Sequence, residues 1–505
     1  MTRQRQHAHF RRSLGFAVPL AAAVLVCTST VAVRACETIT VCATWDVDLE
    51  DDMYGDLVTD VTYPARGARV TVIRPYPEAA LGFFLDNDGC STFDSQFRAG
   101  HKMLLYAETV VGFGGSGKIH IKSYQSTQAK NDDVDSFYMV DIPSIPDGWV
   151  VNVSAPADAE HRITHLVVAT EVLHRLHGFG DSLLAGLGHE LRIWVDPTRQ
   201  NASAPLLDST GDEITPGGIR VGSAGDDYDT GDDMGASALR KKFILAHEIG
   251  HWIQERVTDG GWAFDYNYGP NTEEDSLDPA LQPSGGNPND EDCWFAVEYI
   301  DSVVLGMDDL RANPNRHGIR SAEFASGAMP EGFGHFVASV AFNSDLGTDA
   351  DGQFHYYKNA NEMLLSSYGD FEDPGVDNRI VSLRGGVSPV PSGGADQWVA
   401  QECAEDWDHP LQAETLDQEV SSEIDWLRLF WRMVTADPTT YGPAFTFWDV
   451  VHLVTYTQVN NPWNTSDHVL WPNMRDVVLD AGFSASQESR FEDLSAAHGV
   501  YNDGT

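Results

Sequence analysis

The sequence predicts an α+β protein, in which a small all-β sandwich precedes a larger domain of mixed sheet and helices. Three observations carry that expectation. Residues 38–125 hold short, β-rich apolar runs separated by Gly, Asp and Pro. From residue 157 onward, apolar positions recur mostly at helical spacing over longer stretches. Within that second region lies Phe243-Ile-Leu-Ala-His-Glu-Ile-Gly-His-Trp252, a helical run that carries His-Glu-x-x-His.

Residues 1–35 read as an export signal. Arg3, Arg5, Arg11 and Arg12 precede an apolar stretch from Leu14 to about Val33, and Val33-Arg-Ala35 offers a small-residue cleavage site. An uncleaved anchor is the alternative, since the run is just long enough to span a bilayer. Removing the five arginines of this segment takes the net charge from −44 to −49. Such a charge argues against nucleic acid, and against an anionic membrane once the signal is gone, because like charges repel. The compartment expected is secreted or cell-envelope, in a bacterium. Cleavage leaves Cys36, Cys42, Cys90, Cys293 and Cys403, with no Cys-x-x-Cys pair, so disulfides are expected rather than a zinc knuckle. Cys42 with Cys90, and Cys293 with Cys403, are the expected pairs, each inside one proposed domain.

Within 36–125 the strands expected are Thr38–Trp45, Ala68–Ile73, Met103–Ala107 and Lys118–Lys122. Gly67-Ala-Arg-Val-Thr-Val72, then Asp86-Asn-Asp-Gly-Cys-Ser-Thr-Phe93, then Gly100, resembles the carboxypeptidase-regulatory or transthyretin-like sandwich module. Asp86-Asn-Asp-Gly89 reads as a tight turn; a calcium loop would need a Glu that is not there. Residues 126–156 read as a connector with one or two strands. A helix follows, with Ile163, Leu166, Val167, Thr170, Leu173 and Leu176 on one face and Gly178 as its stop. His161 and His165 are four apart on it, yet they fall outside the apolar stripe with no acid in place, so a solvated face is expected.

Leu191–Val195 is the next strand, and Ile214–Val221 a second, edge-like one. The acidic loop 226–233 could hold Ca²⁺, but its spacing does not single out that role from an ordinary solvated loop. After the His-Glu-x-x-His helix, residues 259–292 form a long Gly/Pro/Asn/Asp loop. Helices are expected at Cys293–Leu305, within 321–343, at 419–435, at 446–458 and in the last 30 residues. Residues 157–505 are taken as one domain with a helical C-terminal part.

His247 and His251 project from one helix face and can share one Zn²⁺, while Glu248 can reach a water at that ion. Gly250 lets another element pack close beside them. The third ligand must come from elsewhere. A metzincin would carry Gly and His at 254 and 257, where Gln254 and Val257 stand. Glu331-Gly-Phe-Gly-His-Phe336 remains, with Pro330 suited to a first helical position, which would put Glu331 in the first turn. This pattern resembles the gluzincins, whose third ligand is a Glu on a later helix, often within Glu-Gly-x-Ala-x-Tyr/Phe; Gly334 stands where Ala is usual.

That resemblance implies a zincin-like catalytic domain, with one catalytic Zn²⁺ held by His247, His251 and Glu331. It implies Glu248 as general base, and a protein or peptide substrate. His335, one turn beyond Glu331, is expected to orient a ligand imidazole or to face substrate. Glu298 is the rival third ligand, and Tyr356, Tyr357, His355, His317 and His409 are candidates for stabilising the oxyanion. Two alternatives stand: a zinc hydrolase acting on another electrophile, and a non-enzymatic surface protein with a protease-like domain. The intact Glu248 speaks against the latter.

Overall fold

The computed structural model describes residues 38–46, 62–73, 80–94, 102–113, 117–125, 136–141, 149–154, 160–179, 190–196, 218–222, 234–257, 323–342, 353–354, 381–382, 420–421, 423–435, 445–460, 471–480 and 482–497. Residues 1–35, the acidic loop, Cys293, Cys403, Glu298 and the five residues named as oxyanion candidates lie outside them.

The strands described between residues 38 and 125 divide between two sheets. In the first, β1 (Thr38–Asp46) pairs antiparallel with β2 (Thr62–Pro64) and β5 (Cys90–Asp94). In the second, β3 (Ala68–Ile73), β4 (Leu81–Phe84), β6 (Lys102–Phe113) and β7 (Gly117–Gln125) pair antiparallel. Inward residues alternate along β3, where Ala68, Val70 and Val72 are buried, because successive side chains point to opposite faces. The 126–156 segment supplies β8 (Ser136–Asp141), which pairs with β6, and β9 (Trp149–Ser154), which lies parallel to β1.

Two local features fix the entry to these sheets. Asp86 Oδ1 accepts from the backbone N–H of Asp88 (3.0 Å) and of Cys90 (2.7 Å), which makes 86–90 a tight Asp turn. Gly89 turns there with φ +71°, and a Cβ on it would lie 2.7 Å from Ala43 O and Ala65 N. The turn brings Cys90 opposite Cys42 in the β1–β5 register, and the two form the expected disulfide.

The second sheet does not stop at residue 125. β10 (Glu190–Asp196) runs parallel to β7, and β11 (Gly218–Gly222) runs parallel to β10 at the end of the sheet. The sheet is therefore continuous across the connector that composition suggested as a boundary. A β-rich run reports its own periodicity but not which strand will hydrogen-bond to its edge, so composition cannot locate this join.

Helix α1 (Glu160–Gly178) lies on the face formed by β6, β7 and β10. Thr170 Oγ1 donates to Leu166 O (2.7 Å), so the 2.7 Å contact with Thr109 on β6 is donated by Thr109. The opposite side of α1 is covered by α2 (Met234–Val257) and α3 (Ala325–Phe342). This corrects the expected solvated face: His165, Arg162 and Thr164 are buried, because α1 is an inner layer between sheet and helices.

α4 (Glu423–Thr435), α5 (Phe447–Asn460), α6 (Trp471–Asp480) and α7 (Ala485–Ala497) complete the helical side. Thr446 and Asp449 form a reciprocal cap at the start of α5, with Asp449 N–H to Thr446 Oγ1 at 3.1 Å and Thr446 N–H to Asp449 Oδ2 at 2.7 Å. Phe333, Phe336, Phe430 and Phe447 pack ring to ring, with centroids 5.7–6.0 Å apart for Phe333–Phe430, Phe336–Phe430 and Phe336–Phe447. No helix among the described residues is long and apolar enough to cross a membrane.

Candidate metal centre

α2 and α3 cross so closely that glycine is required on both. A Cβ on Gly250 would lie 2.9 Å from Gly334 Cα, and a Cβ on Gly334 would lie 2.8 Å from Cε1 and Nδ1 of His247. Gly334, the departure from the usual Ala, thus makes room for the imidazole it touches. On the other side of α3, a Cβ on Gly332 would lie 2.5 Å from Trp426 Cβ and 2.7 Å from Glu423 O, so α4 also packs backbone to backbone.

α3 begins at Ala325, and Pro330 falls inside it rather than at its first position. Ala328 and Met329 are buried, so packing carries the helix one turn further back than the proline signal indicates. Glu331 accordingly sits in the second turn, away from the N-terminal end of the macrodipole. Its Oε2 lies 2.9 Å from His247 Nε2 and 3.4 Å from His251 Nε2, and the two Nε2 atoms are 2.9 Å apart. His247, Glu248, His251, Glu331 and His335 are all between 4% and 8% exposed, and Glu423 is 2% exposed.

Three lone-pair atoms facing one point inside a protein repel unless a cation lies among them. Tetrahedral zinc with bonds of about 2.0–2.1 Å sets its ligand atoms roughly 3.3 Å apart. The observed triangle of 2.9, 2.9 and 3.4 Å is close to that, and the two imidazoles with one carboxylate are a donor set zinc accepts. With only a proton to share, that proton resides on His251. Burial works against it, but the carboxylates of Glu331 and Glu248 and the acceptor Gln254 hold His251 up at about 9. Burial, reinforced by the neighbouring His335 and His251 and opposed by Glu331, pushes His247 down to about 3. Glu331 is nearer to His247, so the carboxylate distance alone does not place the proton; the partners behind each ring do.

Those partners were not all legible in the sequence. His251 Nδ1 faces Gln254 Oε1 at 3.2 Å, so its N–H donates to the amide and Nε2 is turned toward the cluster. In the sequence Gln254 excludes a metzincin, and its place three residues on from His251 also puts it on the same helix face. His247 Nδ1 lies 2.8 Å from His335 Nδ1, and His335 Nε2 lies 2.7 Å from Glu423 Oε2. Glu423 carried no signal: it is one acid at the head of an amphipathic helix, 88 residues beyond His335. No family model, curated protein or solved structure matches this chain.

Proposed function

We propose that this chain is an exported zinc metallopeptidase of gluzincin type, with a zincin-like α+β catalytic domain. The observation that carries the reading is the convergence of His247 Nε2, His251 Nε2 and Glu331 Oε2 within 3.4 Å of one another, with Glu248 next to His247 in the chain. Bound there, Zn²⁺ supplies a Lewis acid that polarises a carbonyl and lowers the pKa of water.

The chain's own residues do the rest. His247, His251 and Glu331 hold the ion. Glu248 takes the proton of the attacking water and passes it to the leaving amine as the C–N bond breaks. Gln254 and His335 keep the imidazole rings turned inward. Burial of the cluster excludes bulk water and strengthens each charge interaction. A peptide is favoured over other electrophiles by β11, which ends the sheet among the described residues and contacts α2. An extended main chain is the ligand that pairs with a strand edge.

The test is metal analysis together with hydrolysis of an unspecific protein substrate by the wild type and by Glu248→Ala. One zinc per chain, and a fall in rate of about 10²–10⁴ in the variant with zinc retained, is the expected result. Zinc without proteolysis moves the reading to a hydrolase of non-peptide substrates. A wild type without zinc rejects it.

A further inference from the structure

The histidine–carboxylate contacts behind the centre have a direction, and Glu423 sets it. We infer that Glu423, through His335, fixes His247 in the one tautomer that can bind a metal, and that the group Glu331, His335 and Glu423 therefore does not hold a second metal while the first is filled. The chain runs from Glu423 Oε2 to His335 Nε2 at 2.7 Å, and from His335 Nδ1 to His247 Nδ1 at 2.8 Å.

A neutral imidazole carries one N–H, and a carboxylate offers only lone pairs. The proton between Glu423 and His335 therefore belongs to His335 Nε2. While His335 is neutral its Nδ1 carries no hydrogen, so the hydrogen between the two Nδ1 atoms belongs to His247. That leaves His247 Nε2 unprotonated, facing His251 Nε2 and Glu331 Oε2. A donor in place of Glu423 would reverse every step and put a hydrogen where the metal must bind. Glu423 is the first residue of α4, so the backbone of that helix fixes where its carboxylate stands.

Glu331, His335 and Glu423 also bring one ligand atom each within 4.8 Å of one another, the arrangement of a second cation site. Occupation of both sites fails on hydrogen count. If His335 gives Nε2 to a second ion while His247 Nε2 holds the first, both Nδ1 atoms carry hydrogens and face each other at 2.8 Å; if it gives Nδ1, the hydrogen of His247 Nδ1 already points at that atom. One site or the other can be filled, and the hydrogen bond from His335 Nε2–H to Glu423 Oε2 goes with the first. Glu423 is thus a positioning residue.

Its effect on zinc rests on the metal reading above, whereas the hydrogen-bond chain does not, so the experiment separates the two. Long-range ¹H–¹⁵N spectra of histidine-labelled full-length protein, metal-free and zinc-loaded, report which nitrogen of His335 and of His247 is protonated. The expected result is Nε2–H on His335 in both states, Nδ1–H on His247, and one zinc per chain. Glu423→Ala should remove the Nε2–H preference of His335 and loosen zinc by about 10–100-fold. Glu423→Gln keeps the shape and an accepting oxygen, and should recover part of that loss. Nδ1–H on His335 in the wild type, a second zinc per chain, or a Glu423→Ala variant with unchanged zinc affinity overturns the inference. Failure of the wild type to bind zinc rejects the peptidase reading, while the His335 tautomer still decides the chain.

Discussion

The sheet and the metal centre both gather ionisable side chains, and they do so in opposite ways. On the sheet, Arg69 pairs with Glu108 at 2.8 Å and Lys122 with Glu190 at 2.8 Å, each on a neighbouring strand, with side chains 5–34% exposed. Opposite charges are already matched there, and water reaches most of them. Between α2, α3 and α4, histidines and glutamates are buried with lone pairs converging, and they are matched only when a proton or a metal joins them. Polar groups of the first kind are replaceable one at a time. Those of the second kind stand or fall together, which is the property a reactive centre needs.

The largest effect that can break this contrast is on metal affinity. Glu331→Ala should weaken zinc by more than about 100-fold, beyond the range typical of outer partners, whereas Glu298→Ala should leave it unchanged. Competition titration with a chelating dye measures both, and the reverse outcome would transfer the third ligand to Glu298.

The next effect concerns protons. His251 is raised from its ordinary 6.5 to about 9, so its proton stabilises the metal-free fold fully below 6.5, and that contribution fades as pH rises toward 9. Zinc must displace the same proton. Its apparent affinity should therefore climb by about tenfold per pH unit up to there, with roughly one proton released per chain at pH 7. Calorimetry in buffers of different ionisation enthalpy reads the proton count, and zero release at pH 7 would contradict the assignment. On the sheet the sign is opposite. Burial raises Glu108, but the hydrogen bonds from His120 and Arg69, with Lys122 nearby, hold it below its ordinary 4.5. Its contribution is present above 4.5 and is lost as pH falls through the lower, folded value.

The smallest effect is the removal of a sheet charge. Arg69→Met should cost under about 1 kcal/mol by urea unfolding, since the guanidinium is partly solvated and His120 and Lys122 remain near Glu108. A cost of several kcal/mol would show that the sheet network is as interdependent as the centre.

The sequence by itself determined what is local. Alternation marked β1, β3, β6 and β7, the Asp86–Gly89 turn announced itself, and four-residue spacing put His247 and His251 on one face. Glu331 was named through the resemblance of Glu331-Gly-Phe-Gly-His-Phe336 to the gluzincin signature, and its carboxylate lies beside both imidazoles. Tertiary structure alone decided the rest. It joined β10 to β7, buried His165 under α2 and α3, carried α3 back past Pro330, and set Glu423 behind His335. The physical reason is common to all four. Periodicity fixes which side of an element is apolar, but the neighbour that covers it is chosen by packing, and at this centre the choice falls to Gly250, Gly332 and Gly334.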